Sequence, residues 1–263
     1  MAVAPSWLRD LAGAWVFYSV LPAWPRLQPG FQRIARFAPW IGLVIAALQI
    51  AVWLLLQGLG WPLLATVPVL IALEAWVTGG LHLDGVMDTA DGLAAGASRR
   101  LEAMEDSRVG ASGVQALALV LLLQMGALFC LAERVPMGMP WVLAAVGFLS
   151  RCSPLWAVVR FPYLKKNGTA GFHREGARGW REARPSLLVL VVTLTVAVAV
   201  GQGGLLGVML LVGLASGVVV AEGLGRRLGG HTGDSYGACV VWSATLMLVL
   251  LALLQPLAVS LAR

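Results

Sequence analysis

Charge is what this chain has least of. Only 12% of its 263 residues are Asp, Glu, Lys or Arg, about half the share usual in soluble domains. Nineteen basic and 13 acidic residues in 27.8 kDa cannot cover the surface of a soluble globule. Residues 37–73 and 186–221 carry no charge at all. Cysteine is scarce too. Cys130, Cys152 and Cys239 lie in apolar segments without CxxC spacing, which excludes a disulfide framework and a thiolate zinc site and leaves them as small hydrophobes. Residues 1–6 lack the basic region of a cleaved signal, and the apolar run at 11–21 is broken by Pro22 and Pro25. Trp7, Trp15 and Trp24 flank that run, so it reads as an interfacial or re-entrant helix. P-loop and dinucleotide fingerprints are missing, as is an ordered nucleophile–His–acid set. No soluble basic domain offers a surface for nucleic acid, and none is expected as a partner.

What is present is apolar mass, with a mean hydropathy of +0.82. A helix as long as either uncharged stretch would run to about 54 Å, nearly twice the roughly 30 Å hydrocarbon core of a bilayer. Each stretch therefore folds back once. Turn signals at 58–62, 136–140 and 201–204 divide the chain into about seven transmembrane helices, near 40–57, 62–78, 114–133, 140–159, 186–201, 205–222 and 237–258. Trp40, Trp61, Trp76, Trp141, Trp156 and Trp180 fall near span ends, where indoles favour the interface. The expected fold is an all-α, polytopic integral membrane bundle with an N-terminal interfacial or re-entrant helix, and 1–263 forms a single membrane-embedded domain. With the N-terminus inside, 16 of the 19 Lys and Arg residues are cytoplasmic; only Arg134 and Arg263 lie outside, and Arg151 sits within the fourth span. The positive-inside rule then places the chain in the cell (inner) membrane with its N-terminus and polar loops in the cytoplasm. The net charge of +6 also favours anionic lipid or phosphorylated substrates.

The six aspartates are unevenly spread: Asp84, Asp88, Asp91 and Asp106 follow the second span, Asp234 precedes the seventh, and Asp10 stands apart. On a helix, Asp88 and Asp91 lie about 40° and about 20° from Asp84 around the axis, a stripe of three carboxylates. Such a stripe requires a cation, and oxygen-only ligands select Mg²⁺ or Mn²⁺, which bridge carboxylates to phosphate; the alternative is that these acids cap helices and solubilise a loop. Glycines 79, 80, 85 and 92 suit a close approach by phosphate or backbone. His82 is a candidate substrate contact. In the next polar block, 104–113, Asp106 joins the catalytic and metal candidates and Arg108 the substrate contacts; the alternative is that Asp106 or Ser107 caps the third span. The last block, 226–237, combines Arg226, Arg227 and Thr232 as phosphate donors with Asp234, either a metal ligand or a helix cap.

Three segments, TGGLHLDGVMDTADGL (78–93), EDSRVGASG (105–113) and LGGHTGDSYGA (228–238), resemble the adenosylcobinamide-GDP ribazoletransferase (cobalamin-5′-phosphate synthase) family in order and separation. The resemblance covers nearly the whole chain. Residues 17–22 are similar to the family's FLTRxP, with Val20 in place of the usual Arg, and 161–168 offers lysines where an Arg is familiar. The resemblance implies a Mg²⁺-dependent transfer in which a hydroxyl of α-ribazole, or its 5′-phosphate, attacks the cobinamide-linked phosphorus of adenosylcobinamide-GDP. GMP leaves, and adenosylcobalamin or its 5′-phosphate forms. The implied partners are those two substrates and the lipid bilayer, with a homo-oligomer left open. Two rivals stand beside it. A CDP-alcohol phosphotransferase shares a DGxxDxxDG-like pattern but expects an Ala-Arg pair that 88–91 lacks. A secondary transporter would exploit Glu74 and Arg151 within the spans; the alternative there is that Arg151 pairs with Glu74 or Glu222.

Overall fold

The computed structural model of the chain describes residues 4–165, 178–199 and 203–261. Eleven α-helices occupy most of these residues. They are α1 (Ser6–Tyr18), α2 (Ala38–Gly58), α3 (Leu63–Val77), α4 (Leu81–Ala94), the single turn α5 (Arg100–Ala103), α6 (Ala111–Arg134), α7 (Met139–Ser150), α8 (Ser153–Arg160), α9 (Arg184–Ala199), α10 (Gly203–Leu228) and α11 (Gly233–Leu261). Among the described residues there is no strand, only an isolated bridge between Tyr163 and His231. The chain is an all-α polytopic membrane protein.

Seven apolar helical segments stand at the expected places, but not all are long enough to span alone. Five stretches are: Ile34–Gly58, Ala111–Arg134, Pro136–Arg160, Leu206–Leu228 and Gly233–Leu254. The expected second span, 62–78, is α3, whose 15 residues end where Gly79 and Gly80 take left-handed φ angles of 61° and 73°, which glycine adopts without steric cost. They turn α4 by 87° from α3; counted together the bent pair makes a sixth candidate. The expected fifth span, 186–201, is represented by α9, and its last residues, 200 and 201, lie outside the described residues. The fourth span is broken into α7 and α8. Pro154, in the first turn of α8, has no N–H to continue the ladder, and the Ser153 hydroxyl donates instead to the Ser150 carbonyl at 2.6 Å. The N-terminal helix α1 has 13 residues, about 20 Å, too few to cross. Trp15 Nε1 donates to the Pro22 carbonyl (3.0 Å), and buried Asp10 accepts from the Gln32 amide (3.2 Å) and faces Arg36 at 3.6 Å.

Packing follows membrane logic. Gly42 on α2 and Gly147 on α7 touch so closely that a Cβ on either would strike the other's carbonyl, the close approach small residues permit. Trp53, Leu70, Leu149 and Met247 fill the largest core cluster, while Leu55, Leu64, Leu122, Leu211 and Leu253 face outward. Two glutamines pair between helices: Gln49 Nε2 donates to the Leu70 carbonyl (3.0 Å), and Gln124 Nε2 to Thr245 Oγ1 (2.9 Å). Arg151 pairs with Glu74 at 3.1 Å and donates to the Gly147 carbonyl at 3.1 Å. This realises the structural alternative for Arg151.

One end of the bundle gathers the polar blocks. Helix α4 lies across the first turns of α6 and α11, with Gly85 against the Asp234 carbonyl and Gly113 against Met87. Residues 161–165 run beside 230–232, tied by Leu164 N–H to the His231 carbonyl (2.8 Å) and His231 N–H to the Pro162 carbonyl (2.9 Å). Arg100 donates to the Leu228 carbonyl (3.1 Å).

Candidate active site

The carboxylate stripe of α4 is helical, as its spacing implies, but its members meet different partners. Asp91 points to α6: its two oxygens accept the Gly110 amide at 2.7 Å and the Gly113 amide at 2.8 Å. It thus caps α6 from another helix, satisfying donors that a helix start leaves open and meeting the positive end of its dipole. A Cβ at position 110 or 113 would collide with this carboxylate, so both positions require glycine. Asp84 instead lines a cleft beside α11, and Asp88 lies between these two, half-buried.

Asp234 comes to the same cleft from the far end of the sequence. Its helix does not need it as a cap. Thr232 and Ser235 cap each other: the Ser235 amide donates to Thr232 Oγ1 (3.2 Å) and the Thr232 amide to Ser235 Oγ (2.8 Å), a reciprocal arrangement that resembles a capping box. The Asp234 carboxylate is left to accept from Lys165 Nζ at 2.9 Å and from the Thr232 hydroxyl at 3.3 Å. Lys165 is set in place by the backbone pairing of 161–165 with 230–232, and it also faces Glu105 at 3.7 Å. Beneath that pairing His231 is fully buried. Its Nε2–H donates to the Ala221 carbonyl (3.1 Å), which leaves Nδ1 to accept from the Ser235 hydroxyl (3.0 Å). Burial holds its pKa down at about 4, so the ring is a neutral structural post at ordinary pH.

The cleft holds a cavity of about 100 Å³ that opens to solvent, and Asp84, Asp234, His82, Tyr18, Tyr236 and Arg151 are among its lining residues. His82 is buried against Tyr18, ring centroids 6.4 Å apart. Burial, with Arg151 adding to it, lowers its pKa to about 3. Asp88 moves the other way. Burial first, then the charges of Asp84 and Asp234, push its carboxyl up to about 7, and Lys165 opposes the rise. Lys165 itself is held above the usual lysine range: burial works against its charge, but the Asp234 hydrogen bond and the charges of Asp234 and Glu105 outweigh it.

This crowding of carboxylates is the chemistry a hard divalent cation relieves. Among the described residues, no three His, Cys, Asp or Glu side chains stand close enough together to hold an ion as a complete cage. Mg²⁺ is commonly bound by one or two carboxylates together with waters and substrate phosphates. Asp84 and Asp234 are placed for that, with Asp88 alongside.

Other expected site residues lie elsewhere. Asp106 stands in an exposed loop where Arg108 donates to it through its backbone amide (3.0 Å), Nε (3.0 Å) and Nη2 (2.7 Å). Arg108, by side-chain hydrogen bonding above all, pulls the Asp106 pKa down to about 2. Neither residue lines the cleft. Arg226 is exposed and pairs with Glu222 at 2.9 Å; Arg227 is exposed at the same helix end. Thr232 is buried and engaged as a cap, which removes it from the phosphate donors. Conversely, Lys165, Tyr18, Tyr236 and Arg151 join the site although sequence patterning did not assign them there. Two signals were available: Lys165 and Tyr18 fall in the segments where the chain departs from its resembling family's pattern. Lys166 and Arg174, counted in the basic loop, lie outside the described residues.

The family model described as cobalamin-5-phosphate synthase matches residues 10–252. The chain is 56% identical over 260 residues to an adenosylcobinamide-GDP ribazoletransferase of Prochlorococcus marinus strain MIT 9313, covering 96% of this chain and 98% of that protein. It is 42% identical to one from Thermosynechococcus vestitus (92% and 95% covered) and 36% identical to one from Trichormus variabilis (94% and 98%). No solved structure matches.

Proposed function

The chain belongs to the cobalamin-5-phosphate synthase family, and from that membership we propose that it is a Mg²⁺-dependent adenosylcobinamide-GDP ribazoletransferase. A ribose hydroxyl of α-ribazole, or of its 5′-phosphate, attacks the phosphorus next to cobinamide. The new P–O bond forms as the bridging P–O bond of the diphosphate breaks, and GMP leaves with that electron pair. The observation that carries this reading is the meeting of Asp84 with Asp234 at one cleft, with Asp88 near enough to feel both charges. Segments some 150 residues apart in sequence have no purely local reason to bring like charges together.

In this reading Asp84 and Asp234 hold Mg²⁺, with Asp88 beside them. When bound, the ion supplies neutralisation of the diphosphate charge and electrophilic assistance at phosphorus. The chain's own residues supply position. Lys165 Nζ offers a donor to a phosphate oxygen at the cleft mouth, and its backbone tie to 230–232 fixes it there. Asp91 locks α4 to α6 and so sets the register of Asp84 and Asp88. Fixed charges in a partly dry cleft need no reorganisation during the reaction, which is where electrostatic catalysis gains most. The site end faces the cytoplasm of the cell membrane, on the weight of the basic residues at that end.

The test is incubation of the purified full chain with adenosylcobinamide-GDP and α-ribazole 5′-phosphate, with and without Mg²⁺, followed by product mass analysis. GMP and a phosphorylated cobalamin should form together and only with the metal. Release of CMP from a CDP-alcohol instead would assign the chain to the rival chemistry.

A further inference from the structure

We infer that the interior of the cleft is the subsite for the aromatic base of the acceptor nucleoside, entered base first. This rests on the functional reading above and goes beyond it by assigning the cleft to one of two substrates and fixing its direction. Three observations carry it.

The first is size. The enclosed part of the cleft is about 100 Å³, on the scale of one flat aromatic ring system, so a nucleoside that enters it keeps its sugar toward the mouth. A corrin ring with its side chains and upper ligand is too large for it, so the cobinamide portion must stay outside.

The second is lining. Beyond the mouth the walls are Tyr18, Tyr236, Pro154, Val158 and Val240, drawn from α1, α8 and α11. His82 adds a buried ring, and Arg151 is held by Glu74 and the Gly147 carbonyl with only its Nε left unpartnered. A flat apolar ring gains from such walls. A guanine, with several donors and acceptors on its edges, would lose hydrogen bonds to water there that the single unpartnered Arg151 Nε does not replace. The leaving nucleotide therefore fits this interior poorly, and a benzimidazole-type base fits it well.

The third is polarity along the cleft. The carboxylates Asp84 and Asp234 line the same cleft as the apolar walls, and they reach it from the helix ends at the surface. A nucleoside with its base inward presents its ribose hydroxyls to those carboxylates, where the attacking oxygen is required. Entered the other way, the sugar would sit among Val158, Val240 and Pro154.

Val158 offers the discriminating perturbation, because it is buried in the wall and makes no polar contact that the reaction uses. Equilibrium dialysis of the full-length protein in detergent should show Val158→Phe weakening α-ribazole binding at least tenfold, with GMP binding within twofold of wild type. Val158→Ala, which removes volume and keeps the fold if the larger side chain does not, should shift relative kcat/KM toward ribosides of bulkier bases by severalfold. Loss of GMP binding in Val158→Phe, or unchanged base preference in Val158→Ala, overturns the assignment. Failure of the functional reading looks different: wild-type protein that binds α-ribazole but releases no GMP from adenosylcobinamide-GDP.

Discussion

Replacing Asp91 by Asn separates two roles that the sequence merges, because the carboxylate stripe of α4 invites a metal-binding role for all three aspartates. In the structure both Asp91 oxygens accept amides at the start of α6, Gly110 at 2.7 Å and Gly113 at 2.8 Å. A hydrogen bond to a charged group contributes about 1.5–3 kcal/mol net, and a charge at a helix N-terminus about 0.3–1 kcal/mol. Asparagine keeps one acceptor oxygen, turns its NH₂ toward the other amide and carries no charge. The expected loss is about 2–3 kcal/mol, at the low end because Asp91 is only partly buried. Asp91→Ala removes both bonds and should cost about 4 kcal/mol. For a chain of this size 1 kcal/mol moves Tm by roughly 2–4 °C, so Asp91→Asn should melt about 6 °C lower. Unfolding in detergent is read at one fixed scan rate because membrane proteins seldom refold. The half-saturating Mg²⁺ concentration should stay within about twofold of wild type. An unchanged Tm together with a tenfold higher Mg²⁺ requirement would refute the staple and make Asp91 a ligand.

Thr232→Ala removes the cap of α11, and should lower stability by about 1 kcal/mol while Asp234, which does not cap, keeps the Mg²⁺ titration near wild type; calorimetry and turnover check the two halves separately. Asp88 gives a pH dependence in EDTA. Its folded pKa, about 7, exceeds the ordinary carboxyl value, so the folded state holds the proton more tightly and stability falls as pH rises from about 4 to about 7. Asp88→Asn should flatten that part of the Tm profile, and Mg²⁺ should restore stability to wild type at pH 7. For orientation, single cysteines at exposed Ser98 and Ser107, in a background without Cys130, Cys152 and Cys239, should resist an impermeant maleimide in intact cells and react in inverted vesicles. Labelling of either from outside reverses the topology.

The bundle was legible in the sequence because apolar length and turn residues are local signals. What apolar length leaves out is local: Gly79 and Gly80 turn α4 by 87° from α3, and Pro154 interrupts the helix within the fourth span, positions that hydropathy averages over. At the site, Asp84, Asp88 and Asp234 announced themselves as carboxylates with no neutralising neighbour in sequence. Helical spacing alone could not divide the stripe, since the angular offset of Asp91 from Asp84 is small and only the approach of α6 gives it a partner. Asp106 read as a site residue because it belongs to the same motif block, yet Arg108, two residues on, satisfies it locally. Thr232 looked like a phosphate donor for the same reason that it caps well: its hydroxyl sits before a helix start. Lys165 and Tyr18 were not legible as site residues because tertiary pairing, not periodicity, brings them to the cleft.

The account stands most directly on Asp84, Asp88 and Asp234 acting as one site. Initial rates of GMP release from adenosylcobinamide-GDP with α-ribazole 5′-phosphate should be measured across a Mg²⁺ titration for the wild type and each Asp→Asn variant. Asp84→Asn and Asp234→Asn should keep wild-type melting within a few degrees, lose at least a hundredfold in rate and require more Mg²⁺; Asp88→Asn should follow with a smaller loss. Wild-type turnover and an unchanged Mg²⁺ curve in Asp234→Asn would contradict the claim, because Asp234 would then be a surface acid paired with Lys165 and nothing more.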